Sequence, residues 1–199
     1  MTPPFITVDD FCANPEGAAS SFRNAPFADQ QGPDGQIYKR VADVTEAGLI
    51  FQPAMEEAVG FPIKQAYSIA RLNYAGENPN NAVHADSGYD EFACILYLTP
   101  QEFCSGGTAF WRHKILGFDA MPTEQEVRSV GRNPKQVMKR LSADWNNIDA
   151  WERIALAEMK FNRAIFFRCK SFHSRFPFEA FGNSPENGRL VFVSFFNRA

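Results

Sequence analysis

His84-Ala85-Asp86 is the stretch whose residue types and spacing could do chemistry. An imidazole and a carboxylate two residues apart at a strand end can converge on one point, because the chain bends as it leaves a sheet. Two donors undersupply a divalent ion, so a third must come from elsewhere. The chain has only three histidines, and His173 adjoins a second apolar, strand-like stretch, 165–172. Two imidazoles and one carboxylate on one face of an ion suit Fe(II), leaving adjacent positions open for a co-substrate and oxygen. The same donors also suit Zn(II). An H-x-D pair arises by chance in many chains, so its weight comes from what surrounds it.

The elements that must position these groups read as follows. Phe92 to Leu98 is a strand with Phe92, Cys94, Leu96 and Leu98 on one face and Ala93, Ile95 and Tyr97 on the other. Both faces are apolar, which predicts a strand covered on both sides, as in a sandwich or barrel core. Gly106-Gly107 is a tight turn, after which Thr108 to Trp111 resumes strand character. Further strands are expected at 5–8, 67–74, 153–161, 164–168 and 190–196. Gly32-Pro33-Asp34-Gly35 carries turn chemistry, and Ala75 to Asn81 and Gly182 to Gly188 read as loops. Asn14-Pro15-Glu16 starts a helix reaching about Asn24. Pro53 opens another that ends at Gly60. Between His113 and Ala150, a Thr123–Glu126 capping box and Asn133-Pro134 mark two more helices, a helical insertion of the kind that covers barrel mouths and selects substrates. The pattern is mainly β with peripheral helices.

At 199 residues the chain reads as one domain, 1–199, large enough for a sizeable core, with the insertion at 114–150. Apolar residues make up 45 %, and 20 phenylalanines predict an interior filled by rings. A net charge of −3 without a basic block disfavours nucleic acid or an anionic membrane as partner. Cys12, Cys94, Cys104 and Cys169 show neither C-x-x-C spacing nor a disulfide framework. With no leader pattern and no long apolar run, the expectation is a cytoplasmic protein without a membrane span.

The order H-x-D, strand, Gly-Gly-Thr turn, distal His, then Arg before a final aromatic strand resembles the Fe(II)/2-oxoglutarate-dependent dioxygenases, most closely their prolyl-hydroxylase-like branch. The match covers roughly residues 67–197. The resemblance implies a double-stranded β-helix, a jelly-roll barrel with the metal at its mouth and His84, Asp86 and His173 as its ligands. It implies 2-oxoglutarate and O₂ as co-substrates and a hydroxylase, but it does not transfer a substrate; the expected partner is a small molecule or a peptide. Tyr74-Ala75-Gly76 is similar to the family's Tyr-Pro-Gly, whose tyrosine lines the co-substrate pocket. Cys94 to Pro100 is similar to the strand whose tyrosine, here Tyr97, bonds the distal carboxylate of 2-oxoglutarate. Arg189, sixteen residues after His173, falls where the family places the cation for that carboxylate. The sequence departs at Val191, where many members carry Ser or Thr.

Each assignment has a plainer counterpart. Tyr74 and Tyr97 could be core aromatics, Arg189 a strand-edge surface charge, and Arg175 a substrate contact or a solvated charge. His113 reads as a polar rim residue. At the level of function, a cupin-like binding or structural barrel and a metal-dependent hydrolase on the same ligands stand beside the oxygenase. Oligomeric state is not legible.

Overall fold

A computed structural model describes residues 4–32, 37–77, 82–86 and 90–199. Residues 33–35 of the turn expected at 32–35, and residues 78–81 of the loop expected at 75–81, lie outside the described residues. Among the described residues, ten strands form two sheets. The large sheet combines β1 (Phe5–Val8), β2 (Ala28–Gln31), β3 (Ile37–Asp43), β4 (Ile63–Asn73), β5 (Phe92–Tyr97), β8 (Ala164–Arg168) and β10 (Arg189–Arg198) in the order β1-β8-β5-β10-β4-β3-β2. The small sheet is β7 (Trp151–Glu158), β6 (Gly107–His113) and β9 (His173–Phe176), in that order. Every pairing is antiparallel. The architecture is the expected mainly-β jelly roll with a helical insertion.

Period-two alternation sorts the side chains into layers. Ala93, Ile95 and Tyr97 of β5 meet Ile165 and Phe167 of β8, Val191 and Phe195 of β10, and Phe110 and Ala157 of the small sheet, forming the barrel interior. Cys94, Leu96 and Leu98 face the other way, against Ala19 and Phe22 of α1 (Pro15–Arg23) and Met55 of α3 (Gln52–Val59). Between those helices lies α2 (Thr45–Gly48), followed by a single 3-10 turn. Phe192 is fully buried there, stacked on Phe22 at 5.5 Å and edge-on to Phe51 at 5.1 Å. A phenylalanine buried this completely contributes about 1.5–3 kcal/mol.

The local signals account for the helices. Asn14 caps α1 through its side chain, with Pro15 in the first turn. Gly60 closes α3 in the left-handed conformation. In the insertion, α4 (Glu124–Ser129) begins with the Thr123–Glu126 capping box and α5 (Pro134–Asp144) with Asn133. Val127, Val137 and Leu141 pack with Ala109, Trp111, Trp151 and Phe172, so these helices cover the back of the small sheet, the face opposite the barrel interior. Their expected place across the mouth is not where they sit.

Three local readings differ. The stretch 165–172 is not one strand: β8 ends at Arg168, the chain turns (Ser171 N donates to Arg168 O), and His173 begins β9 in the other sheet. The segment read as a strand at 153–161 is strand only as far as Glu158. Strands β2 and β3 went unread: Ala28 to Gln31 is exposed throughout, a sheet edge with no apolar face to alternate, and β3 buries only the adjacent Val41 and Ala42, which do not alternate either. All four cysteines are unpaired, Cys94 and Cys169 being buried. Among the described residues, no helix is long and apolar enough to cross a membrane.

Candidate metal centre

Backbone pairing brings the two histidines together. His84 N donates to His173 O at 3.0 Å, and His173 N donates to His84 O at 2.8 Å, an isolated antiparallel bridge. Residues facing one another in such a bridge project to the same side, as do residues two apart on one extended segment. His84 and His173 therefore stand ring to ring, with centroids 4.5 Å apart, and Asp86 joins them. Asp86 N donates to Cys169 O at 2.9 Å, which fixes the far end of the segment. Its near end is held by the insertion, where Val83 N donates to Trp145 O and Ala82 N to Asn146 Oδ1.

Asp86 Oδ2 lies 3.2 Å from His173 Nε2, and Oδ1 lies 3.7 Å from His84 Nε2. One donor atom from each of the three residues falls within 4.8 Å of the others. His173 Nδ1 is 2.9 Å from Ser171 O; as the N–H donor it leaves Nε2 as the nitrogen turned to the cluster, 3.2 Å from Asp86 Oδ2. Burial, reinforced by His173 nearby, lowers the His84 pKa to about 4, so this imidazole is neutral at pH 7. For His173 burial opposes the charge, but the field and hydrogen bond of Asp86 outweigh it and the pKa is raised. Asp86 is correspondingly lowered: His173 and then His84 and Arg71 overcome the effect of its burial. The donor set fits a divalent ion of the iron or zinc type.

Arg189 enters the same interior. It lies two residues before Val191, and Val191 pairs with Tyr97. It is 7 % exposed. No side-chain hydrogen bond or ion pair reaches it among the described residues. Burial lowers its pKa to about 10, with Tyr97 partly offsetting and Arg71 adding to the effect. The Tyr97 hydroxyl, fully buried, is 2.7 Å from Thr108 Oγ1 and 3.4 Å from Ala157 O. Thr108 supplies a hydroxyl on the facing sheet, one that the sequence pattern does not mark. It follows Gly106-Gly107, where backbone approach excludes a side chain: a Cβ on Gly106 would fall 1.9 Å from Phe176 O, and one on Gly107 2.0 Å from Ala157 O.

Tyr74 is not brought to this interior. Its ring packs with the helix-side layer beneath the Arg40 guanidinium, 4.0 Å from the ring centroid. Alternation along β4 turns Asn73 and Arg71 inward instead, since Asn73 pairs with Arg189 and Arg71 with Val191. Arg175 is neither a free substrate contact nor a solvated charge: it donates to the carbonyls of Glu77 and Phe178. His113 is fully buried away from the cluster; its Nδ1 accepts from Leu116 N and its Nε2–H donates to Asp144 at 2.9 Å.

Solved structures that resemble the chain are Fe(II)/2-oxoglutarate oxygenases. They include the nogalamycin-biosynthesis carbocyclase SnoK (12 % identity, TM-score 0.58, 97 % of this chain and 79 % of that one). A 2OG-Fe(II) oxygenase family oxidoreductase from Burkholderia pseudomallei matches over 98 % and 86 % (11 %, TM-score 0.57). A Pseudomonas putida prolyl-4-hydroxylase matches over 100 % and 94 % (10 %, TM-score 0.54). At these identities the likeness is one of fold. The chain belongs to a family of unknown function, DUF6445, whose model matches residues 2–196. No curated protein matches it in sequence.

Proposed function

We propose that this protein is a non-haem Fe(II)/2-oxoglutarate-dependent oxygenase that hydroxylates a small-molecule or peptide substrate, with His84, Asp86 and His173 as its metal ligands. The observation that carries the reading is a juxtaposition: three convergent donors share one interior with Arg189, a buried cation that no carboxylate pairs with among the described residues. A guanidinium withdrawn from water without a partner is costly. A dicarboxylate held at the triad by one end and at Arg189 by the other removes that cost, and Arg suits a two-pronged grip on a carboxylate. A zinc hydrolase or a structural barrel has no use for the unpaired Arg189.

Bound there, Fe(II) with O₂ would supply the oxidative decarboxylation of 2-oxoglutarate to succinate and CO₂, coupled to oxygen insertion into a substrate C–H bond. The chain's own residues prepare that chemistry. His84 stays neutral and His173 turns Nε2 to the cluster. Tyr97 and Thr108 form a hydroxyl pair beside Arg189 that can complete the carboxylate grip in place of the residue missing at Val191. Ile95, Phe110, Ile165 and Phe167 close the interior around them to water. Solved neighbours support the co-substrate assignment: structures of EctD contain Fe or 2-oxoglutarate.

The test is uncoupled turnover. Protein reconstituted with Fe(II) under O₂ should release succinate from 2-oxoglutarate slowly even without a prime substrate, and His173→Ala should not. Metal-loaded protein that neither binds nor consumes 2-oxoglutarate would leave the barrel without this activity.

A further inference from the structure

Resting on the oxygenase reading, we infer that Arg71 anchors an anionic group of the prime substrate, a carboxylate or phosphate, beside the triad. Arg71 lies on β4 opposite Val41 and Val191, so its side chain enters the interior that Arg189 enters, one diagonal step away across β4 and β10. Its charge bears on Asp86 and His84 on one side and on Arg189 and Arg175 on the other. Its Nε is buried without a hydrogen-bond partner. The guanidinium lies 4.9 Å from the Tyr38 ring centroid and forms no ion pair among the described residues.

The other arginines at this end are accounted for. Arg40 pairs with Glu77 and donates to Leu72 O. Arg175 is tied to two backbone carbonyls. Arg189 is assigned to the far carboxylate of 2-oxoglutarate. Charge then decides what Arg71 is for. A divalent metal, the Asp86 carboxylate, Arg189 and the 2-oxoglutarate dianion cancel one another. Arg71 is left with a buried Nε that has no hydrogen-bond partner and, among the described residues, no carboxylate in ion-pair contact, an unfavourable state for a charge withdrawn from water. An anion arriving with the substrate compensates it.

The surface leading to Arg71 describes the rest of that substrate. Tyr67 and Ile69 precede it on the same face of β4, opposite Phe195 and Val193 of β10. Tyr67 stacks on Phe195 at 4.8 Å and is 46 % exposed, and Asp86 and Asp90 after burial help push its hydroxyl pKa up to about 12. An aromatic platform open to solvent and next to the triad suits an apolar or flat body. The substrate class is therefore an amphipathic acid rather than a neutral or cationic molecule.

The experiment uses full-length protein loaded with Mn(II) and saturated with 2-oxoglutarate. Propionate, methylphosphonate and propionamide are added in turn, and the paramagnetic relaxation of their methyl protons is read by NMR. In wild-type protein both anions should be relaxed at least fivefold more than the isosteric amide. Arg71→Met should lose that excess by about tenfold, and Arg71→Lys should retain part of it. Metal affinity in Arg71→Met should be equal or tighter, because a cation has been taken from beside Asp86; weaker metal binding would mean that the residue shapes the fold instead. Equal relaxation by propionate and propionamide in wild type, or undiminished anion relaxation in Arg71→Met, overturns the assignment. So does a hundredfold loss of 2-oxoglutarate affinity in Arg71→Met, which would place the residue on the co-substrate. If wild-type protein binds no 2-oxoglutarate at all, the oxygenase reading itself fails, an outcome visible before any anion is added.

Discussion

Replacing Arg189 separates binding from stability in a way that few substitutions do. The residue is 7 % exposed, its guanidinium has no carboxylate partner among the described residues, and its pKa falls to about 10 from an ordinary 12.5. At about 1.4 kcal/mol per unit, the unliganded fold carries roughly 3 kcal/mol of cost for that charge. Arg189→Met keeps a long unbranched stem in the same space and removes the charge. The apoprotein should therefore become more stable, by up to about 3 kcal/mol less whatever packing is lost, which in a chain of this size raises Tm by several degrees. Binding should move the opposite way. A 2-oxoglutarate carboxylate left without its partner costs about 3–5 kcal/mol, on the order of a hundredfold or more in affinity. Differential scanning calorimetry of the metal-free protein and calorimetric titration of 2-oxoglutarate into the metal-loaded protein read the two effects separately. A variant that is destabilised and yet binds 2-oxoglutarate within about threefold of wild type would show Arg189 to be a structural cation and refute the reasoning.

Other expectations follow from the same geometry. Tyr97→Phe should raise the half-saturating 2-oxoglutarate concentration by about tenfold, the worth of one buried hydrogen bond, with Thr108→Val acting in the same direction; an unchanged value for both would remove the hydroxyl pair from the site. Metal binding should displace the proton from His173, whose pKa is raised above 6.5, but none from His84, whose pKa lies at about 4. Near pH 6, about one proton should therefore be released per metal, and the release should fall as pH rises through the raised pKa of His173, as measured by titration in buffers of different ionisation enthalpy. Release of two protons at pH 6 would show both imidazoles charged beforehand. Asp144→Ala should cost about 1–3 kcal/mol by leaving the buried His113 Nε2–H without an acceptor, while metal affinity changes by less than about tenfold. Loss of metal without loss of stability would instead mark His113 as a ligand.

The parts of this fold legible in the sequence are those whose signal is local. Asn14-Pro15, Asn133-Pro134 and the Thr123–Glu126 pair carry their hydrogen bonds within one turn. The two-faced strand around Ile95 declares itself by having no polar face. What was not legible depends on the other sheet. Tyr74 follows a strand that reads well, but which side it faces is set by the pairing of β4 with β10, and a one-residue difference in phase places it in the helix-side layer. For the same reason Arg71 drew no notice in the sequence, since its inward direction follows from lying opposite Val191. Thr108 is visible only once the small sheet is laid over β5. The His84–His173 bridge joins residues 89 apart and has no sequence signal beyond the residue types themselves.

The central claim is that triad and Arg189 hold one 2-oxoglutarate between them, and an anaerobic titration of 2-oxoglutarate into Fe(II)-loaded protein tests it most directly. One equivalent should bind per metal in wild-type protein. Binding should vanish when the metal is removed by chelation, and it should weaken about a hundredfold in Arg189→Met at unchanged metal content. Binding of 2-oxoglutarate that is indifferent to both the metal and Arg189, or no binding at a filled metal site, would contradict the account.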